Sequence, residues 1–169
     1  TMLNSRLAEI RQQANPPFTG ASAGYGDFFV AKTKNAFGVD ASSKIDGIEL
    51  AMKTILEETE RARRFGFTET EYDRARANYL QRVESAYNER EKMKNDTYVN
   101  EYISNFLDNE PMPGIEYEYA MMNQLAPNIP VAAINQVMQQ LITDNNQVVL
   151  LAGPEKEGLK YPTKEEIAA

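Results

Sequence analysis

The chain has 169 residues, a length suited to one domain, and 42% hydrophobic with 25% charged residues is a globular mix. It contains no cysteine and no histidine, which excludes from this chain disulfides, thiolate zinc sites, thiol nucleophiles, imidazole bases and histidine–zinc centres. The net charge of −7 repels phosphate backbones, so no nucleic-acid partner is expected.

Leu3, Leu7 and Ile10 recur at helical spacing until Pro16-Pro17 stops the helix. Residues 19–31, rich in Gly, Ala and Ser, read as a strand ending in Phe28-Phe29-Val30, and residues 32–40 read as a second strand paired with it in a hairpin. Gly20, Gly24 and Gly26 mark a bulge, a close approach of another backbone, or a locally small and irregular strand. Ser43 is placed to cap a helix whose apolar stripe is Ile45, Ile48, Met52, Ile55 and Leu56, and Gly66 is placed to end it as a left-handed residue. Thr68 and Glu71 then form a T-x-x-E capping box, with Phe67 and Tyr72 as a hydrophobic staple. The helix that follows carries Tyr72, Ala75, Tyr79, Val83 and Ala86 or Tyr87 on one face and is expected to run past Arg90.

Tyr98, Tyr102, Ile103, Phe106 and Leu107 mark another helix, residues 115–125 a further one, and Pro130 opens a last one carrying Val131, Ile134, Val137, Met138 and Leu141. Val148 to Leu151 reads as a strand buried on both faces, within residues 147–153, and Gly153-Pro154 bounds it. The longest apolar run, Val148 to Ala152, is too short to span a membrane. The expectation is an α+β fold, with a small mostly antiparallel sheet packed on a block of long helices. One domain covers residues 1–162, and 163–169 is a linker into a following one. Residues 1–6 lack the apolar core of a signal peptide while helical periodicity starts at once, which fits a fragment of a longer chain. Absence of cysteine fits a bacterial exported or periplasmic parent as well as a cytosolic one.

No phosphate loop or G-x-S-x-G elbow is present. The carboxylates Glu57-Glu58, Glu69, Glu71 and Asp73 sit on charged helix faces or first turns, and Asp108-Asn109-Glu110 lacks the spaced oxygens of a calcium loop. The residues by themselves thus give no catalytic residue and no metal ligand.

Five landmarks in order resemble the insulinase/pitrilysin-type zinc peptidases, the inverzincins. They are Asn4-Ser5-Arg6-Leu7-Ala8-Glu9-Ile10-Arg11, Arg64 through Tyr72, Ala75 through Leu80, the helix start at Ile129 to Val131, and Gln147 to Pro154. Pro130 stands where the family usually has Thr. The resemblance covers Leu3 to about Pro162. It implies a metallopeptidase-like half-domain, truncated at its N-terminus, and a catalytic domain elsewhere in the parent. There an H-x-x-E-H motif and a distal Glu hold zinc, which activates a water.

With no histidine, this chain resembles the family's companion domains, which enclose a chamber for peptides. The implied partners are the catalytic and other domains of the same polypeptide and a peptide substrate. The implied cofactor is zinc in the parent and none in this chain. Aligning the helix end places Arg11 and Phe18 where the family often has an Arg and a Tyr that reach the substrate carbonyl. Phe18 has no hydroxyl to donate. Arg11 read by itself is a helix-end cation on the macrodipole. The alternative is a scaffold or assembly domain in a peptidase-like parent that has lost catalysis.

Overall fold

A computed structural model describes residues 2–28, 31–155 and 161–168. Helix α1 (Met2–Arg11) is followed by strands β1 (Gly20–Phe28) and β2 (Ala31–Ser42), then by helices α2 (Ile48–Phe65), α3 (Glu69–Asn88), α4 (Asn95–Asp108), α5 (Ile115–Leu125), α6 (Val131–Leu141) and α7 (Lys164–Ala168). The α+β expectation holds. The fold divides into two compact units, residues 3–66 with 135–169, and residues 67–134.

The first unit is built around the hairpin. β1 and β2 pair antiparallel from Gly20↔Ser42 to Asp27↔Asn35, and the register slips between Asp27 and Phe28. Phe29 and Val30, expected in the first strand, lie outside the described residues. Leu3 and Leu7 on α1, Phe18 in the connection, and Ala51 and Ala62 on α2 are buried. Small residues at the two buried α2 positions let its backbone come close to its neighbours, and α2 packs on β2. An added Cβ at Gly20, Gly24 or Gly26 would meet open space among the described residues, so no close backbone approach explains these glycines.

Two expectations about this unit are corrected. Ser43 does not cap α2, because its hydroxyl donates to Lys44 O at 2.9 Å. A 3₁₀ turn over Ile45–Gly47 intervenes, and α2 starts without a side-chain cap. The expected strand at residues 147–153 is absent, and the sheet has two strands among the described residues. Val148, Val149 and Leu150 are 63%, 54% and 71% exposed. An apolar run of this kind needs ladder partners and cover on both faces, and the described residues supply neither.

Gly66 closes α2, its N–H donating to Ala62 O. Its φ of 66° is positive as expected, but ψ is −152°, so it leaves the left-handed helical well for a region open essentially to glycine alone. A Cβ here would fall 2.5 Å from both Nδ2 and Oδ1 of Asn135. Toward its end α2 also holds an ion cluster. Glu60 pairs with Arg63 at 2.6 Å and with Arg64, and Arg63 reaches the Asp144 carboxylate at 3.1 Å.

The second unit starts at the staple and box. Phe67 and Tyr72 are buried, Thr68 Oγ1 accepts from Glu71 N at 3.3 Å, and Thr68 N donates to Glu71 Oε2 at 2.8 Å. The Tyr72 hydroxyl donates to Ile129 O at 2.7 Å, which ties the start of α3 to the residues before α6. α3 stops at Asn88, short of the expected end, and passes into a 3₁₀ turn over Arg90–Lys92. There Arg90 lies 4.4 Å above the Tyr87 ring, which stacks on Tyr119 of α5 with centroids 4.5 Å apart. Arg90 Nε also pairs with Glu116 at 3.1 Å. Aromatic and charged groups together thus fasten α3 to α5. Large apolar residues on α4 are exposed: Tyr102 61%, Phe106 86% and Leu107 61%.

Two measurements check this account. Gly66→Ala is expected to lower stability by about 1–3 kcal/mol from the backbone alone, with the Asn135 overlap adding to it, as read by chemical denaturation. Hydrogen bonds from Arg63 and then Arg64 hold the Glu60 carboxyl at about 2 instead of its ordinary 4.5. A depressed folded-state pKa contributes stability above the unfolded value that is lost as pH falls toward the folded one. Melting temperature should therefore fall between pH 4.5 and about 2 less steeply in Glu60→Gln than in the wild type.

Candidate functional site

α1 and its continuation carry the residues aligned with substrate contact. The helix ends in i→i−3 bonds, Gln12 N to Glu9 O and Gln13 N to Ile10 O, both 3.1 Å. Arg11, the last residue of α1, is exposed beside these carbonyl ends, where a cation is electrostatically favoured. Phe18 is 1% exposed. It sits just before Thr19, whose N–H donates to Ser42 O at 2.7 Å and starts the hairpin. Arg11 therefore faces solvent, whereas the Phe18 ring belongs to the core of the first unit.

Two residues of the same helix, given no role by sequence reasoning, have the larger structural part. Asn4 accepts from Ala23 N at 2.6 Å and donates through Nδ2 to Ala23 O at 2.9 Å. Its amide thus satisfies both main-chain groups of one β1 residue, as a neighbouring strand would. Arg6 is 8% exposed and donates Nη2 to Gly66 O at 2.8 Å, across 60 residues of chain. The signal for Arg6 was in the sequence: it lies three residues from Leu3 and four from Ile10, on the apolar stripe of α1. A cation at such a position needs a buried acceptor.

The carboxylates are engaged structurally. Glu57 pairs with Lys53 at 3.9 Å, Glu58 with Arg61 at 3.3 Å, and Asp73 with Arg76 at 2.8 Å, while Glu71 belongs to the capping box. Asn109 ends α4 in the left-handed conformation at φ 56°. Among the described residues no group of three or more Asp or Glu side chains is placed to hold a metal ion. With no imidazole or thiolate in the sequence, this donor set does not fit a peptidase zinc. Nor is any helix, among the described residues, long and apolar enough to cross a membrane.

No protein-family model matches the chain. A curated protein named zinc protease PQQL-like, from Arabidopsis thaliana, is 30% identical over 147 residues, 87% of this chain and 12% of that protein. Among solved structures, the first half of the periplasmic protease PqqL from Escherichia coli superposes with a TM-score of 0.73 at 20% identity, over 83% of this chain and 30% of that one. The structure of PqqL itself gives 0.71 at 21% identity, over 83% of this chain and 15% of that one. The chain therefore spans about an eighth of the curated relative, and the solved structures share its fold. From the ordered sequence landmarks, the PqqL-like relative and the shared fold together, the chain belongs to the insulinase/pitrilysin-type peptidase family.

Proposed function

We propose that this chain is a non-catalytic companion domain of a zinc peptidase, packed on the catalytic domain of the same polypeptide and forming part of the wall of its peptide chamber. One observation carries the reading: a member of a zinc-peptidase family has no histidine anywhere in its 169 residues. Zinc and the water-activating base then belong to another part of the parent. The small share of the relative that the chain spans is in keeping with this division of labour.

Within the wall, Arg11 is the residue that reaches substrate. Its exposed guanidinium offers hydrogen bonds to a peptide carbonyl from a fixed helix end. Phe18, held in the core, anchors the segment between that helix end and the hairpin. It supplies no second donor, so any assistance to the carbonyl comes from the arginine alone.

Metal analysis of the isolated chain is expected to find zinc well below one per chain, with no peptide hydrolysis; one tightly held zinc per chain would overturn the assignment. In the full-length polypeptide, Arg11→Ala is expected to lower kcat/KM roughly tenfold or more while leaving the melting temperature unchanged. Unchanged kinetics would reduce Arg11 to a helix-end cation.

A further inference from the structure

Asn4 and Arg11 lie on one line of α1. Seven residues are close to two helical turns, so the two side chains leave the helix within about 20° of each other and about 10 Å apart along its axis. Both stand beside the buried stripe of Leu3 and Leu7, with Asn4 half-buried where the helix meets β1 and Arg11 exposed at the helix end. Burial of Leu3 and Leu7 holds α1 on the core, but the hydrophobic effect has no direction and by itself selects neither the register nor the rotation of a helix. The Asn4 amide is directional. Its Oδ1 accepts from Ala23 N at 2.6 Å and its Nδ2 donates to Ala23 O at 2.9 Å. Two hydrogen bonds from one planar amide to one residue fix both distance and rotation at that point.

The Ala23 N–H that Asn4 takes lies on the side of β1 turned away from β2, so this anchor leaves the β1–β2 ladder intact. Arg6, two residues on and so on the opposite side of the helix, ties α1 to Gly66 O at 2.8 Å. The helix is thereby pinned on two sides, to the hairpin by Asn4 and to the end of α2 by Arg6, and Arg11 is the exposed end of the pinned rod. We propose that Asn4 is a positioning residue for Arg11. Anchored on the Ala23 main chain, it sets the register and rotation of α1, and with them the point from which the Arg11 guanidinium meets the carbonyl of a bound peptide. The inference rests on the reading of Arg11 as a substrate contact and adds what aims it. A displacement of about 1 Å in a positioned group can cost about a hundredfold in rate, so the anchor matters if the contact does.

The first test compares peptide hydrolysis by the full-length polypeptide in the wild type, Asn4→Ala, Arg11→Ala and the double variant, at a temperature where all four are folded. Asn4→Ala is expected to lower kcat/KM by about threefold or more, and to cause no further loss when added to Arg11→Ala. A structural role alone would lower it equally in both backgrounds; that result, or no loss from Asn4→Ala while Arg11→Ala does lower kcat/KM, overturns the inference. Should Asn4→Ala not fold, Asn4→Asp takes its place, since it keeps the acceptor for Ala23 N and loses the donor to Ala23 O.

The second test reads position without activity, in the full 169-residue chain, which has no cysteine of its own. Spin labels are placed on Arg11→Cys and on Gly38→Cys, a β2 position where an added Cβ meets open space among the described residues. One narrow distance between helix end and hairpin is expected with Asn4 present, and a broadened or shifted distribution in Asn4→Ala. The same distribution in both overturns the inference. A full-length polypeptide without zinc and without hydrolysis contradicts the peptidase reading alone, and the label distances then decide the positioning. Hydrolysis that Arg11→Ala leaves unchanged removes the contact itself and overturns both the role of Arg11 and that of Asn4.

Discussion

The hydrogen bond from the Arg6 guanidinium to the Gly66 carbonyl ties α1 to the end of α2 within the first unit. It runs from an 8%-exposed cation on the apolar side of α1 to the carbonyl of the residue that follows α2. A hydrogen bond to a charged donor is worth about 1.5–3 kcal/mol, and more is lost when a buried cation loses its acceptor. The carbonyl is presented only because Gly66 takes a backbone conformation that a side chain would forbid against Asn135. Two residues on from Gly66, the capping box starts α3. Arg6 therefore joins two stretches of sequence that had looked like separate landmarks, the S-R-L helix and the G-F-T junction. Asn4, half a turn away, spends its amide on Ala23 and fixes α1 to β1. An added strand would meet the Asn4 amide at that point of the β1 edge.

Local chemistry was legible in the sequence wherever the determining groups are close along the chain. The T-x-x-E box, the helix end at Gly66 and the opening of α6 after Pro130 all depend on groups a few residues apart. The tyrosine face of α3 was equally readable, because Tyr72 and Val83 are buried at its ends with Ala75 and Tyr79 half-buried between. Ser43 misled because a serine that can cap can also bond its own neighbourhood, and a 3₁₀ turn took the place of a direct helix start. Val148 to Leu151 misled for a different reason, one that the apolar face of α4 shares. Hydropathy says that a segment requires cover and says nothing about where the cover comes from. Both runs are exposed here.

The candidate site follows the same division. That Arg11 closes a helix and that Phe18 lacks a hydroxyl could be read from the residues. The core position of Phe18 and the structural importance of Asn4 and Arg6 depend on contacts 19 and 60 residues away in sequence. The absence of histidine was the most informative single fact in the composition. It separates membership of a zinc-peptidase family from possession of a histidine–zinc centre.

The central claim is that this chain serves a zinc site carried elsewhere in its own polypeptide, and the most direct test is the amino-acid sequence of that polypeptide on either side of residues 1–169. The account predicts a related domain bearing H-x-x-E-H and a later glutamate. A related domain with those residues replaced would contradict the peptidase reading and make the chain part of a scaffold.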